Sequence, residues 1–310
     1  MLLCCGEALI DMIPTPTSDG QMGFVPHSGG AIFNTAIALG RLGASAGLLT
    51  GMSSDMFSLQ LTADLQASKV DASLLIPCDR PTTLAFVKLV DGHASYSFFD
   101  ENSAGRMLAP ADLPVLPDTV SALYFGGISL ACEPGADTYA ALLEREATSR
   151  VVMLDPNIRP SFISNPEAYR ARLGRMIAQA DIVKVSDEDL AWIFPGAGSL
   201  EDKAAQLRAA GPSVVVLTRG SEGATGFFGE GRSVDVPVRK VDVVDTVGAG
   251  DTFNAGFLAR LSQLGLLEKT ALAGISDLSV RDALAYGAQV AAITVSRAGA
   301  NPPWADEINT

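Results

Sequence analysis

The stretch Asp245-Thr246-Val247-Gly248-Ala249-Gly250-Asp251-Thr252-Phe253 is the most informative part of the sequence. It follows the apolar run Val241–Val244, which predicts a strand end, and it opens a predicted helix. Small residues at 248–250 keep side chains away, so the N–H groups of the first helical turn can converge on an anion. Asp251 stands beside them, where a carboxylate can accept the proton of an attacking hydroxyl group. Taken alone, the stretch also fits a glycine-rich helix start capped by an aspartate.

A second helix start carries a pair of glycines, Gly29-Gly30, within the stretch from Gly29 to Gly43. Glycines at this place let a ligand approach the backbone closely. Asn34 lies one turn into the helix, and its amide can donate to and accept from sugar hydroxyls. A local hydrogen bond at the helix start is the alternative role of this asparagine.

Strand and helix patterns alternate along most of the chain. Continuous apolar runs indicate strands buried on both faces, which is typical of a mostly parallel sheet with helices on both sides. The predicted strands are Leu2–Cys5, Ala46–Leu49, Ala122–Phe125, Val151–Leu154, Ile182–Val185 and Val214–Thr218. The predicted helices include Ala31–Leu42, Asp137–Thr148, Pro166–Gln179, Leu200–Ala210, Ala249–Leu264 and an apolar, buried helix over Val280–Arg297.

One region departs from this alternation. Asp91-Gly92-His93 separates two β-rich runs, Thr82–Val90 and Ala94–Phe99, and Asp-Gly is a strong hairpin signal. With the extended residues near Ile13 to Pro26, these runs predict a small sheet outside the main one. We expect one α/β domain over 1–310 with a lid from about 13–28 and 82–106, which covers a site and excludes water. An edge hairpin without function is the alternative.

The composition bounds the function classes. Lys and Arg number 22 against 35 Asp and Glu, which gives a formal net charge of −13. A field of that sign disfavours nucleic acid and anionic membrane surfaces as partners. The four cysteines show no CxxC spacing, so free thiols in a reducing compartment are expected. Without a basic n-region or an apolar run of about 20 residues, neither a signal peptide nor a membrane span is expected, and we predict a cytoplasmic protein.

The stretch 245–253 resembles the C-terminal signature of the PfkB (ribokinase-like) carbohydrate kinases, DTxGAGDxF, and the stretch from Gly29 resembles their N-terminal signature. The resemblance covers nearly the whole chain and implies a ribokinase-like α/β fold and phosphoryl transfer from ATP to a sugar. It implies Asp251 as the catalytic base, with an anion hole of Gly248, Ala249 and Gly250. The substrate-binding positions that it implies, with those of the lid, are Asp11, Gly29, Gly30, Asn34, Phe98, Arg106, Arg159 and Asp251.

The same resemblance implies a nucleotide site with Mg²⁺ and the monovalent cation K⁺. In place of the family's N-x-x-E element this chain has Ser186 and Asp189. The shorter carboxylate of Asp189 favours a water-mediated contact with Mg²⁺ over direct ligation. Backbone carbonyls around Asp245 and Val247 are the expected ligands of the monovalent cation. The expected nucleotide-binding residues are Lys184, Ser186, Thr218, Arg219, Gly220, Gly223, Gly248, Gly250, Asn254, Ala298 and Gly299.

The residues around the acceptor look most like the fructokinase branch. Phe98 and Arg106 are expected to reach in from the lid, and Arg159, after Asp155, is a candidate cation near substrate or phosphate. A surface salt bridge is the alternative role of Arg106. Ribose and 2-keto-3-deoxygluconate kinases share the fold, so they remain alternative functions. An exposed face of the lid also invites a homodimer formed through the lid.

Two other classes compete with a kinase. A catalytically silent sugar sensor would keep the fold and lose the base, and the chain retains Asp251. A nicotinamide-dependent oxidoreductase needs GxGxxG after the first strand, where this chain has Gly6-Glu7-Ala8.

Overall fold

The apolar runs of the sequence pair side by side in a computed structural model that describes residues 1–90 and 93–308. The strands are β1 (Leu2–Cys5), β2 (Leu9–Pro16), β3 (Met22–Gly29), β4 (Ala46–Leu49), β5 (Gly51–Ser53), β6 (Ile76–Cys78), β7 (Thr83–Val90), β8 (His93–Phe99), β9 (Ala122–Gly126), β10 (Val151–Asp155), β11 (Ile182–Ser186), β12 (Val214–Thr218), β13 (Ala224–Phe228) and β14 (Arg232–Val236). The helices are α1 (Ala31–Arg41), α2 (Met56–Ala67), α3 (Gly135–Glu146), α4 (Pro166–Ile177), α5 (Asp187–Ile193), α6 (Leu200–Ala209), α7 (Ala249–Gln263), α8 (Lys269–Ala273) and α9 (Asp277–Val295).

The main sheet has the order β14-β13-β12-β11-β10-β9-β1-β4. All pairs from β12 to β4 are parallel, while β13 and β14 extend the edge in antiparallel fashion. Helices α1, α2, α7, α8 and α9 pack on one face, and α3, α4, α5 and α6 pack on the other. Because both faces are covered, the central strands are buried at every position but one, which confirms the predicted α/β class.

A separate small sheet has the order β3-β2-β7-β8, which confirms the second sheet predicted from the sequence. Its first strand begins at Leu9 rather than near Ile13, because Leu9 and Ile10 are buried and lead straight out of the main sheet. Its last strand ends at Phe99, so residues 100–106 lie outside the sheet. The Asp-Gly pair predicted for the hairpin turn lies outside the described residues.

One prediction about the C-terminal third was wrong. Val241–Val244 is not a strand: Val243 and Val244 are both 63% exposed, and the Val244 N–H donates to the Val295 carbonyl at 2.8 Å instead of to a neighbouring strand. The apolar helix near the C-terminus, α9, begins at Asp277 and buries one face, with Val280, Leu284 and Val290 in the core. None of the described helices is long and apolar enough to span a bilayer.

Candidate active site

A cavity of about 840 Å³ lies at the carboxyl ends of the parallel strands, beneath the small sheet. Ligand sites of open α/β sheets form at this edge because loops there diverge. The structure brings many of the predicted residues to its wall, namely Asp11, Gly30, Phe98, Arg106, Arg159, Lys184, Val247, Gly248, Ala249, Gly250 and Asp251.

The start of α7 forms one wall of this cavity. Gly248 has φ 77°, a left-handed conformation, and a Cβ there would come within 2.7 Å of the Ala300 Cβ, so glycine is required twice over. Among the described residues, no side chain caps this helix end. The Ala249 N–H already donates to the Thr246 carbonyl at 3.3 Å, which leaves the amides of Gly250 and Asp251 as the better anion donors of the predicted three.

Asp251 is buried in the first turn of α7. Its Oδ2 accepts a hydrogen bond from Asn34 Nδ2 at 2.9 Å, and its carbonyl accepts one from Thr35 Oγ1 at 3.1 Å. Burial raises the pKa of Asp251 to about 7, the charges of Asp155 and Glu7 add to that rise, and the Asn34 bond and Lys184 oppose it. A carboxylate with that pKa is suited to take and release a proton near neutral pH.

A buried cation lies beside this carboxylate. Lys184 Nζ donates to Asp155 Oδ2 at 3.0 Å and lies 3.5 Å from the position that a Cβ on Gly250 would occupy. Burial lowers the pKa of Lys184, but Asp155 and its acidic neighbours outweigh that effect and the net pKa is raised, so the ammonium stays charged. Arg159, the cation expected here from the sequence, also lines the cavity but is exposed and donates to the carbonyl of Ile158 at 3.2 Å.

Asn254 belongs to the support of this site rather than to its surface. The predicted nucleotide-binding amide is fully buried, and its Nδ2 donates to Asp155 Oδ2 at 2.7 Å and to Tyr124 Oη at 2.9 Å. The Asp155 carboxylate therefore receives hydrogen bonds from both Asn254 and Lys184, which fixes the ammonium in place.

The acceptor end of the cavity is built around Asp11. Burial raises the pKa of Asp11 to about 6. A Cβ on Gly29 would come within 2.2 Å of Asp11 Oδ2, so that glycine makes room for the carboxylate although it does not line the cavity itself. Gly30 has φ 103°, and a Cβ there would meet the Glu7 carbonyl at 3.0 Å.

Two side chains close the other side of this end. Arg106 forms a 2.9 Å ion pair with Asp100 while its Nε donates to the Glu133 carbonyl at 3.0 Å, so it lines the cavity within an ion pair. Phe98, from the small sheet, meets the ring of Phe162 edge to face with centroids 4.4 Å apart. This contact joins the small sheet to the loop after β10.

The remaining predicted nucleotide residues lie outside the cavity wall, near the ends of β11 and β12. Ser186 and Asp189 form a capping box at the start of α5, where Asp189 Oδ2 accepts from the Ser186 N–H at 3.0 Å and Oδ1 from the Ile158 N–H at 2.7 Å. Thr218 ends β12, and Arg219 lies 3.9 Å from Glu222. Gly220 and Gly223 adopt left-handed conformations in the turn that follows.

Asp245 ties two of the expected nucleotide loops together. Its Oδ1 accepts from the Val247 N–H at 3.0 Å and its Oδ2 from the Gly299 N–H at 2.9 Å, next to Ala298. Among residues 1–90 and 93–308, no three His, Cys, Asp or Glu side chains are grouped so that they could hold a metal ion.

Glu7 is one of several cavity residues that the sequence interpretation missed. Its side chain is buried and lines the cavity. The carboxylate accepts hydrogen bonds from the N–H groups of Ala31 and Ser129 and from the Ser129 hydroxyl. A signal was available, since an acidic residue directly after a buried strand lies at the ligand-binding edge of such a sheet.

Comparisons with known proteins place this chain among carbohydrate kinases. The chain is 53% identical to a fructokinase of Rhizobium leguminosarum bv. trifolii over 91% of this chain and 86% of that protein. A fructokinase structure from Xylella fastidiosa with bound ATP superposes with a TM-score of 0.89 at 27% identity, covering 99% of this chain and 96% of that one.

A second solved structure holds other ligands. It is a fructokinase double mutant from Vibrio cholerae O395 with fructose, ADP and potassium ion bound, with a TM-score of 0.83 at 27% identity, covering 96% of this chain and 93% of that one. Residues 1–307 match the family model of the pfkB family carbohydrate kinases. The chain therefore belongs to the pfkB family of carbohydrate kinases.

Proposed function

We propose that this chain is a fructokinase, which converts fructose and ATP to fructose 6-phosphate and ADP. The observation that carries the proposal is the buried carboxylate of Asp251, held near neutral pKa at the uncapped start of α7 inside a cavity of about 840 Å³. Such a volume is ample for a sugar and a triphosphate tail. The choice of fructose is supported by the relative that shares 53% identity.

In the proposed reaction, Asp251 takes the proton of the sugar's 6-hydroxyl as its oxygen forms a bond to the γ-phosphorus. The bond from that phosphorus to the bridging oxygen breaks, and ADP leaves with the electron pair. The amides at the start of α7 and the Lys184 ammonium face the charge that develops on the phosphoryl oxygens. Asp11 holds the sugar, and Asn34 orients the base, Asp251.

Magnesium fits this site as an ion carried by the nucleotide. Mg²⁺ keeps several waters and takes one or two carboxylates together with phosphate oxygens, so a dedicated protein cage is not required. Both Asp189 oxygens accept amide hydrogen bonds, which supports the water-mediated role expected from the sequence. When bound, the ion would neutralise phosphate charge.

A monovalent cation would be organised by the loops that Asp245 joins. The Asp245 carboxylate fixes the segments at Val247 and Gly299 by accepting from both of their N–H groups. We propose K⁺ for this site, supported by the potassium ion in the Vibrio cholerae O395 structure. Turnover should increase when K⁺ replaces tetramethylammonium at constant ionic strength, and equal rates in both salts would contradict the proposal.

We further propose that the protein is a cytoplasmic homodimer and that the small sheet acts as its lid and dimer surface. The inner face carries Asp11 and Phe98 over the cavity. On the outer face, Phe24, Phe86 and Phe99 pack edge to face with centroids 5.1 and 5.5 Å apart. An aromatic face that is still exposed after folding suits a self-complementary contact with a second copy. The four free cysteines and the use of ATP favour the cytoplasm.

A coupled assay of ADP release tests the function. MgATP is offered with fructose, ribose, 2-keto-3-deoxygluconate and a nucleoside, and we expect efficient turnover of fructose. Preference for another acceptor would keep the kinase chemistry and refute the fructose assignment. Binding of sugar without turnover of any acceptor would instead favour the catalytically silent sensor.

A further inference from the structure

Glu7 joins two loops that form the floor of the cavity. Its Oε1 accepts from the Ala31 N–H at 3.1 Å, at the start of α1. Its Oε2 accepts from the Ser129 N–H at 3.2 Å and from Ser129 Oγ at 2.6 Å, in the turn after β9. Burial raises the pKa of Glu7 above its ordinary value, and the three donors oppose that rise because they stabilise the ionised carboxylate.

The surrounding backbone is shaped to admit this side chain. Gly127 has φ 66°, and a Cβ there would lie 2.1 Å from Glu7 Oε1. Gly30, the N-cap of α1, makes no side-chain capping bond, and Glu7 supplies that bond from 24 positions away in the chain. The Glu7 carbonyl also accepts from the Phe33 N–H at 3.2 Å. Glu7 thus caps the helix in place of a local residue.

This helix carries the residue that holds the proposed base. Asn34 lies in the first turn of α1 and donates to Asp251 Oδ2 at 2.9 Å. A shift at the start of α1 therefore moves the hydrogen-bond partner of Asp251. Glu7 also acts through its charge, which is among the causes that raise the pKa of Asp251.

We propose that Glu7 is a positioning residue for phosphoryl transfer, which holds the start of α1 so that Asn34 orients Asp251. This inference rests on the proposed function, since it assumes that Asp251 is the base. Glu7 lies in the cavity wall, and its carboxylate is held by two backbone N–H groups and the Ser129 hydroxyl of the two loops.

Several other charged groups face Asp251 and shape its titration. They are Asp155 on β10 and Lys184 on β11. The neutral phenol of Tyr124 on β9 is affected in turn, since burial and then the charges of Asp155 and Asp251 raise its pKa. Burial raises the pKa values of Cys132 and Tyr139, and the charge of Glu7 adds to both rises. The variants Glu7→Gln and Glu7→Asp leave Asp155, Lys184 and Tyr124 in the sequence. A change in the pH profile of kcat therefore reports the change at Glu7 itself.

The variants Glu7→Gln and Glu7→Asp separate position from charge. Glu7→Gln keeps the length, loses the charge and replaces one acceptor with an amide, so kcat should fall by about 10- to 100-fold and the acidic limb of the kcat profile should move to lower pH. Glu7→Asp keeps the charge but is too short for both loops, so kcat should fall while the acidic limb stays in place. Glu146→Gln removes a buried glutamate of α3, paired with Arg145 and Arg150, and should leave the profile unchanged.

The wild-type assay comes first and separates the two proposals. Absence of wild-type turnover would refute the proposed function, and full activity of Asp251→Asn would refute the base on which this inference rests. With wild-type turnover present, a Glu7→Gln enzyme that is folded by its denaturation midpoint and has an unshifted acidic limb would overturn the role of Glu7 alone. A shifted limb in Glu7→Gln together with an unshifted one in Glu7→Asp is the expected result.

Discussion

At the scale of single residues, the burial of Asp251 makes turnover dependent on pH. Its pKa is raised to about 7, so the base is protonated in acid, and kcat should fall as the pH drops below about 7. Asp251→Asn removes the base but still accepts from Asn34, so kcat should fall by about 10²- to 10⁴-fold with fructose binding retained. Steady-state kinetics from pH 5.5 to 9 and titration calorimetry with fructose check both. Turnover near the wild-type rate would exclude Asp251 as the base.

The same residue makes stability depend on pH. The pKa of Asp251 is raised from 3.8 to about 7 on folding, so the native state binds more protons than the unfolded state between these values and stability falls as pH rises through them. Asp251→Asn removes this cost, and its unfolding midpoint should exceed that of the wild type by more at pH 8 than at pH 4. An equal difference at the two pH values would show that the carboxylate is not desolvated in the native state.

At the scale of elements, α7 reaches its position by close packing on α9. A Cβ on Gly256 would lie 2.8 Å from the Gly287 Cα, which is backbone and cannot rotate away. Gly256→Ala should therefore destabilise the protein by about 1–3 kcal/mol. Gly174→Ala is the matched control, because a Cβ there meets nothing within 4 Å and should stabilise α4 by about 0.5–1 kcal/mol. Urea unfolding measures both, and equal effects would mean that the two helices can separate freely.

The small sheet meets the body through Phe98 and Phe162, whose centroids are 4.4 Å apart. If this contact closes the cavity over the sugar, Phe162→Ala should raise KM for fructose by up to about tenfold, since an aromatic pair contributes about 0.5–1.5 kcal/mol beyond its buried area. Phe162→Leu keeps an apolar contact, so its KM for fructose should lie between the values of the wild type and the alanine variant. Initial rates across fructose concentrations decide this, and an unchanged KM in the alanine variant would remove the contact from the closing mechanism.

At the scale of the whole molecule, the outer face of the small sheet governs the proposed assembly. Phe99 is 58% exposed and Phe24 45% exposed, so Phe24→Ser combined with Phe99→Ser removes apolar contact area with little loss in the monomer core. We expect a wild-type dimer and a monomeric double variant in sedimentation velocity. Leu278→Ser, at a site on α9 that is 78% exposed, should remain dimeric. A monomeric wild-type protein would contradict the assembly.

The sequence by itself determined the elements and the general chemistry. Continuous apolar runs predicted the buried strands, and the small residues at 248–250 with Asp251 predicted an anion-binding helix start next to a base. These features are local, because the backbone conformation of a helix start and the apolar run of a buried strand both depend on neighbouring residues. The same local reasoning failed for Val241–Val244, since an apolar run becomes a strand only where a neighbouring strand offers hydrogen bonds.

Only the tertiary structure decided which distant residues act together. Asn34 meets Asp251 from 217 positions away, and Glu7 caps α1 and the turn at Ser129 from 24 and 122 positions away. It also assigned the buried cation to Lys184 rather than to Arg159, and placed Asn254 beneath the cavity. Burial and long-range charge set the pKa of the base, and both are properties of packing that no local pattern specifies.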